Sequence, residues 1–363
     1  MTKESAMMKL KESPPSLLCF GEIGVFSETI ECTLEAVYKM THRERFIRTL
    51  KREKIGGQVP HFELVFFLTM EAFGKVHPSH REYGQWNQMS LTEKKLHMED
   101  MAGLYLDTAR RFHHSGIFVH PNPGRTFEEV QWLLETIREK SGDEYYLTMH
   151  GDPTWSIPDG NTMMEFSRRM YEEPELLNEE SERRTEACLE LAARLDSHGH
   201  LLDGFTLCSD YCFNVNPFFS REKFEELITP YLSSVIRGYR ELGYYTIKHT
   251  DGNIMPIADL LVDCGPHALH SLDPQGGVSL GTMMQTYGDR VALIGNVNCG
   301  LLQTGTDEEC RADVLRSLHE GMQNGGGYLF STSNCIYTGL PLSRYELMLS
   351  LWEQYGNYDR TGN

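Results

Sequence analysis

Acidic, imidazole, thiol and amide side chains recur along this chain, each at or just after the end of a short apolar run. Glu63 lies inside the run Val59–Val65, and His120 follows Gly116–Val119. His150 and Asp152 follow Tyr145–Met149, and Cys208, Asp210 and Tyr211 follow Gly204–Leu207. His249 and Asp251 follow Tyr244–Ile247, and Asp273 follows Ala268–Leu269. Asn296 and Cys299 close Val291–Ile294, and Asn334 and Cys335 close Tyr328–Phe330. Runs that end this way predict strands whose C-terminal ends gather reactive groups on one rim, the one-dimensional form of a (β/α)8 barrel enzyme.

The residue types limit the chemistry. His249 and Asp251 are two apart, so on extended backbone they point the same way, and Gly252 permits a tight turn after them. The pair reads as metal ligands, as a base with its orienting partner, or as a loop hydrogen bond. Adjacent strand ends lie roughly 5 Å apart, so Cys299 and Cys335 can approach each other with Asp273 beside them. Thiolates with imidazole or carboxylate suit Zn2+, and an open fourth position makes such a site catalytic; a structural cysteine pair is the other reading. A carboxylate inside an apolar run, as at Glu63, needs a partner or a raised pKa, which fits an acid, a base or a salt bridge. Tyr211 reads as a proton donor or clamp. Phe62, Phe66, Phe67, Tyr211, Phe213 and Tyr337 read as an apolar substrate wall or as core, and His113–His114 as solvated.

Helical patterns alternate with the strands. They cover Thr41–Lys51, Leu91–Phe112, Thr126–Ser141, Asn161–Arg169, Glu173–Ser197, Ser220–Leu242, Met255–Cys264, Val278–Tyr287, Asp307–Asn324 and Leu342–Trp352. Thr41 with Glu44, Ser220 with Lys223, and Thr306 with Glu309 mark helix starts. Strands alternating with helices this long predict a parallel sheet, and eight units favour closure into a TIM barrel over an open Rossmann-like sheet. No G-x-G-x-x-G follows a strand, which also disfavours the open sheet. The stretch Asn161–His200 exceeds one barrel helix and reads as an inserted helical pair or lid. Residues 1–39 do not share the rhythm and read as an N-terminal extension, disordered or arising from a start assigned upstream of Met40. The barrel domain is expected over 40–357, with 358–363 as a tail.

The bulk numbers exclude some partners. With 34 basic and 52 acidic residues the formal net charge is −18, which repels phosphate backbones and anionic membranes. No run of about 18 apolar residues predicts a spanning helix. Nine cysteines without a secretory signal fit a reduced cytoplasmic setting.

Several stretches together resemble the uroporphyrinogen decarboxylase superfamily. They are Ser220-Arg-Glu-Lys-Phe224, Tyr231, Lys248-His-Thr-Asp-Gly-Asn253, Asp273-Pro274, Tyr287-Gly-Asp-Arg290, Gly295-Asn-Val-Asn298, Gly305-Thr-Asp-Glu-Glu309, Gly326-Gly-Tyr-Leu-Phe-Ser-Thr-Ser333 and Pro341. The resemblance spans about residues 40–357 and implies a TIM barrel. Its decarboxylase branch carries an arginine-rich motif after the first strand and an acidic residue after the second. Here the first strand reads Pro60-His-Phe-Glu-Leu-Val-Phe-Phe67 and the second ends Phe118-Val-His-Pro-Asn122, with neither feature. The cobalamin-dependent methyltransferase branch includes members that bind Zn2+ through His-x-Cys at one strand end and a Cys near the last; this chain offers His249-x-Asp251 and Cys335. Asp/Cys/Cys-type zinc sites, also known in the superfamily, are matched by Asp273, Cys299 and Cys335.

The resemblance thus implies a methyltransferase component that moves a methyl group from a small methoxy or methylamine-type substrate to a corrinoid carried by a partner protein. The expected metal ligands for Zn2+ are His249, Asp251, Asp273, Cys299 and Cys335. Glu63, His150, Asp210 and Tyr211 are expected to be catalytic, and His120, Asp152, Asn296 and Asn334 to bind substrate. The rivals are a decarboxylase needing neither metal nor corrinoid, and a non-catalytic tetrapyrrole or corrinoid binder. If Cys335 is a zinc ligand, Cys335→Ala loses metal and methyl transfer together; metal analysis that finds stoichiometric Zn2+ in this variant removes Cys335 from the ligand set.

Overall fold

The computed structural model describes residues 40–360, so the expectations for 1–39 and for 361–363 lie outside the described residues. Seven parallel strands form one sheet in sequence order: β1 (Gly116–Val119), β2 (Tyr146–His150), β3 (Gly204–Cys208), β4 (Tyr245–Thr250), β5 (Ala268–Ser271), β6 (Ala292–Val297) and β7 (Tyr328–Thr332). All seven fall on apolar runs predicted from sequence. The run expected to supply the first strand, Val59–Val65, does not form a regular one. Pro60 has no N–H to contribute to a ladder. The segment nevertheless joins both edges of the curled sheet. Ser115 N donates to the His61 carbonyl (2.6 Å), Phe62 N donates to the Phe330 carbonyl (3.0 Å), and Phe330 N donates to the Pro60 carbonyl (2.9 Å).

The helices largely begin where side-chain caps require. Thr41 with Glu44 and Thr306 with Glu309 form reciprocal capping boxes opening α1 (His42–Leu50) and, later, the helix Asp307–Gly321. The expected single helix Ser220–Leu242 is two, Arg221–Leu227 and Thr229–Glu241. Pro230 explains the break, because its ring cannot follow a preceding helical turn without a clash. Between β2 and β3 run two helices, Met163–Glu172 and Pro174–Ser197; the second packs on Thr229–Glu241, with Leu189 against Gly238.

Side chains alternate across the strands, and one face fills the interior of the curl. Phe62, Phe118, Tyr146, Ile247, Ala268, Ala292, Ile294 and Leu329 form this inner cluster, and α1 closes it from below with Phe46 and Leu50. Phe46 is fully buried, stacks on Tyr146 at 4.1 Å and meets Phe62 edge-on at 5.4 Å. With Ile247 inward, its neighbour Lys248 goes to the other face and His249 returns to the inner one. The register pairs Cys208 with His249 and His249 with His270, which sets these three in one row across β3, β4 and β5.

The Phe46 contact is a direct stability test. Phe46→Ala removes a fully enclosed ring from beneath the sheet and is expected to cost about 3–5 kcal/mol. Equilibrium urea unfolding checks this through a lower midpoint at unchanged slope.

Candidate functional site

One buried carboxylate ties the loops that follow β2 and β3 to the end of β4. Asp152 and Lys248 are both completely enclosed, with Lys248 Nζ 2.7 Å from Asp152 Oδ2. Lys248 Nζ also donates to the Ser209 carbonyl at 3.0 Å and sits 4.1 Å from the centre of the Tyr211 ring. Asp152 further accepts from Ser209 N (3.0 Å), Thr154 N (2.9 Å) and Thr154 Oγ1 (2.6 Å). Burial pushes the Asp152 pKa upward, but the Lys248 charge and these hydrogen bonds outweigh it and hold the group below its ordinary value.

The braced loops bring Asp210, His249 and Asp251 together, with one ligand-type atom from each within 4.8 Å of the others. His249 Nε2 lies 3.9 Å from Asp210 Oδ1 and 3.8 Å from Asp251 Oδ1, both too long for a hydrogen bond. Asp251 N donates to Asp210 Oδ1 at 2.9 Å, so the two acids are held in fixed relation. The Asp251 carboxylate is oriented from the other side by Asn334 Nδ2 and by Ser271 Oγ, the latter at 2.7 Å. Burial raises the Asp251 pKa and the Asp210 and Asp273 charges raise it further, against the opposing pull of His249. Gly252 makes the turn possible: its φ is +80°, and a Cβ there would lie 2.4 Å from the Cys212 carbonyl.

The expected metal ligands divide. His249 and Asp251 are in the cluster. Asp210, expected to be catalytic, joins them as a third ligand-type group. Asp273 caps the turn Pro274–Gly276 through Gln275 N at 2.9 Å, close enough for its charge to act on Asp251. Cys299 is buried with Sγ 3.9 Å from the Cys335 carbonyl. Burial pushes the pKa of both thiols up to about 12, so without a cation they are neutral. Cys208 and Cys335 flank the cluster without entering it among the described residues.

The other expected site residues are placed as follows. Glu63 is enclosed, with its oxygens committed to His61 (3.0 Å), Thr332 Oγ1 (2.6 Å), Thr332 N (3.3 Å) and Ser331 Oγ (3.3 Å). Both of its carboxylate oxygens are therefore engaged inside the fold. Tyr211 is equally enclosed, its hydroxyl 2.6 Å from Thr154 Oγ1, so it braces the β3 loop. Asn296 is a tie inside the fold, donating to the Leu272 carbonyl (2.8 Å) and accepting from Arg316 (3.1 Å). Asn334 orients Asp251 directly, and Asp152 is the anchor above. His150 is exposed at the rim, and His120 is half-buried below it with Nδ1 unpartnered. Burial and the neighbouring His150 pull the His120 pKa down to about 4. His114 is a correction: it is buried and its Nε2 lies 2.9 Å from the Tyr345 hydroxyl.

Sequence reasoning passed over Lys248, His270, Ser331 and His61. The Lys-His pair at 248–249 contained a signal, because alternation sends the ammonium to the buried face where it requires an acid. His270 had none, since the apolar run stops at Leu269 and only the register shows it facing His249.

The sequence pattern of the uroporphyrinogen decarboxylase (URO-D) family matches residues 156–355, and the chain belongs to that family. No curated protein matches the chain in sequence. Among solved structures, a methyltransferase from Methanosarcina mazei is similar, with TM-score 0.65 at 18% identity, covering 87% of this chain and 99% of that one. D-psicose 3-epimerase from Clostridium cellulolyticum is similar at TM-score 0.43 and 12% identity, covering 72% and 93% of the two chains. At 18% identity the likeness to the methyltransferase is one of fold.

Truncating the anchor tests the site's construction. Asp152→Ala leaves the Lys248 ammonium buried without a counter-charge and is expected to cost about 3–5 kcal/mol, while Asp152→Leu combined with Lys248→Met recovers most of it. The pH sign follows from the lowered Asp152 pKa. Its stabilisation is complete above the unfolded carboxylate value of about 3.9 and is lost as pH falls through the lower folded value. Thermal melts of wild type and both variants across acidic pH check magnitude and sign.

Proposed function

We propose that this chain is the substrate-activating component of a corrinoid-dependent methyltransferase system, acting on a small methoxy- or methylamine-type compound. The observation that carries the reading is the Asp210–His249–Asp251 cluster at the strand ends of a URO-D family sheet. Two carboxylates and an imidazole suit a divalent ion such as Zn2+, and burial disfavours the charged Asp251 carboxylate unless a cation compensates it. The likeness to the Methanosarcina mazei methyltransferase, over nearly all of that chain, supports the same branch.

Asp210, His249 and Asp251 would hold the ion. A divalent ion there supplies Lewis acidity toward the heteroatom that carries the methyl group, and a cobalamin borne by a partner protein supplies the methyl acceptor. The chain's own residues place and enclose the reaction. Asn334 and Ser271 fix one carboxylate of the cluster, and the buried Asp152–Lys248 pair fixes the loops on which it stands. His150, at the rim, is drawn below its ordinary pKa by its crowded surroundings and by Lys248, against Asp152.

A polycarboxylate decarboxylase is the weaker reading. Asp210, Asp251 and Asp273 gather negative charge at the mouth, which repels a substrate with several carboxylates.

Zinc titration by calorimetry, with a methyl-transfer assay using cob(I)alamin and methylated donors, tests the proposal. Wild type is expected to bind one equivalent of Zn2+ and to consume cob(I)alamin with some donor. His249→Ala and Asp251→Ala are expected to lose metal and transfer together, whereas Cys335→Ala keeps the metal. Metal-independent loss of CO2 from a carboxylated substrate overturns the reading.

A further inference from the structure

A continuous line of hydrogen-bonding groups leads away from the cluster into the core. His249 Nδ1 lies 2.7 Å from His270 Nδ1. On its far side His270 Nε2 lies 3.3 Å from Ser331 Oγ, and Ser331 Oγ lies 3.3 Å from Glu63 Oε2. His270, Ser331 and Glu63 are all buried, at 1%, 0% and 3% exposure. Each contact in the line is therefore isolated from solvent, and its direction is set by donor and acceptor chemistry alone.

The direction can be worked out from one end. Glu63 Oε2 is an acceptor, because the Thr332 N–H, which can only donate, points at it from 3.3 Å. Thr332 Oγ1 also lies 2.6 Å from this oxygen and 2.6 Å from the Asn334 carbonyl, and its single proton serves one of them. Ser331 has one hydroxyl proton and gives it to Glu63. Its oxygen then accepts from His270 Nε2–H. A neutral His270 carries no second ring proton, so its Nδ1 is an acceptor and His249 Nδ1–H donates to it. His249 Nε2 is left as a bare lone pair, and this is the nitrogen that faces Asp210 and Asp251.

The far end fits this polarity. His61 Nδ1 donates to the Phe112 carbonyl at 2.9 Å while its Nε2 meets Glu63 Oε1 at 3.0 Å, so a proton lies between the ring and the acid. The Tyr345 hydroxyl lies 3.4 Å from His61 Nε2 and 2.9 Å from His114 Nε2.

We infer that Glu63 is a positioning residue for the cluster: through Ser331 and His270 it fixes the ring of His249 with Nδ1 protonated and Nε2 presented as a ligand atom. Outer partners of a ligating histidine ordinarily set its tautomer, and their loss costs about 10–100-fold in metal affinity. The inference rests on the metal reading for its consequence, but the tautomer itself is a property of the metal-free chain.

Histidine-selective 15N labelling with long-range 1H–15N correlation of the metal-free, full-length protein reads that tautomer, and His249→Gln assigns the His249 signal. Wild type is expected to show His249 with Nδ1 protonated and Nε2 bare. In Ser331→Ala and His270→Leu the signal is expected to move to a mixture of tautomers, with Zn2+ affinity about 10–100-fold weaker by calorimetry. A wild-type His249 protonated on Nε2 overturns the inference, whether or not either variant folds. So does a Ser331→Ala protein with unchanged tautomer and unchanged Zn2+ affinity, which leaves the metal reading intact. Failure of wild type to bind Zn2+ while His249 keeps the expected tautomer removes the metal reading and supports the hydrogen-bond order.

Discussion

The buried ion pair between Asp152 and Lys248 holds up everything at the strand ends. Two unit charges removed from water are tolerated only when geometry and further hydrogen bonds satisfy both, and here they do. The acid belongs to the loop after β2, the ammonium to β4, and Ser209, which bonds to both, to the loop after β3. One carboxylate thereby sets the relative height of two loops and of the end of β4. Asp210 comes one residue after Ser209 and His249 one residue after Lys248, so the candidate ligands inherit the placement.

Side-chain alternation assigns the two halves of this arrangement to opposite faces of one strand. Lys248 points into the layer between sheet and helices, where it meets an acid. His249 points to the inner face, where it meets Asp210, Asp251 and His270. A structural pair and a chemical cluster therefore occupy consecutive positions without competing. The same rule explains why His270, in register with His249, becomes its partner.

The candidate site residues and the hydrogen-bonded groups behind them lie at two depths. Asp210, Asp251 and His150 reach solvent, while His270, Ser331, Glu63 and His61 lie in the core. Burial constrains the inner group. Each polar atom there must find a partner, so the direction of one hydrogen bond dictates the next. Glu63 belongs to this inner group, its oxygens taken up by His61, Ser331 and Thr332.

Strand positions were legible from sequence, since seven of the apolar runs formed parallel strands in order. The helix starts at Thr41 and Thr306 were equally so, because capping is chemistry between residues three apart. His249-x-Asp251 was readable as one side of a site for the same local reason. Register, loop height and hydrogen-bond direction depend on residues far apart in the chain. Only the tertiary structure brought Asp210 to His249, turned Cys299 toward a carbonyl and enclosed Glu63. It also gave the closing segment at Pro60 a few bridging bonds in place of a strand. Sequence determines which groups each strand end offers; long-range packing decides which of them share a space, because burial and pairing are settled between elements and not within them.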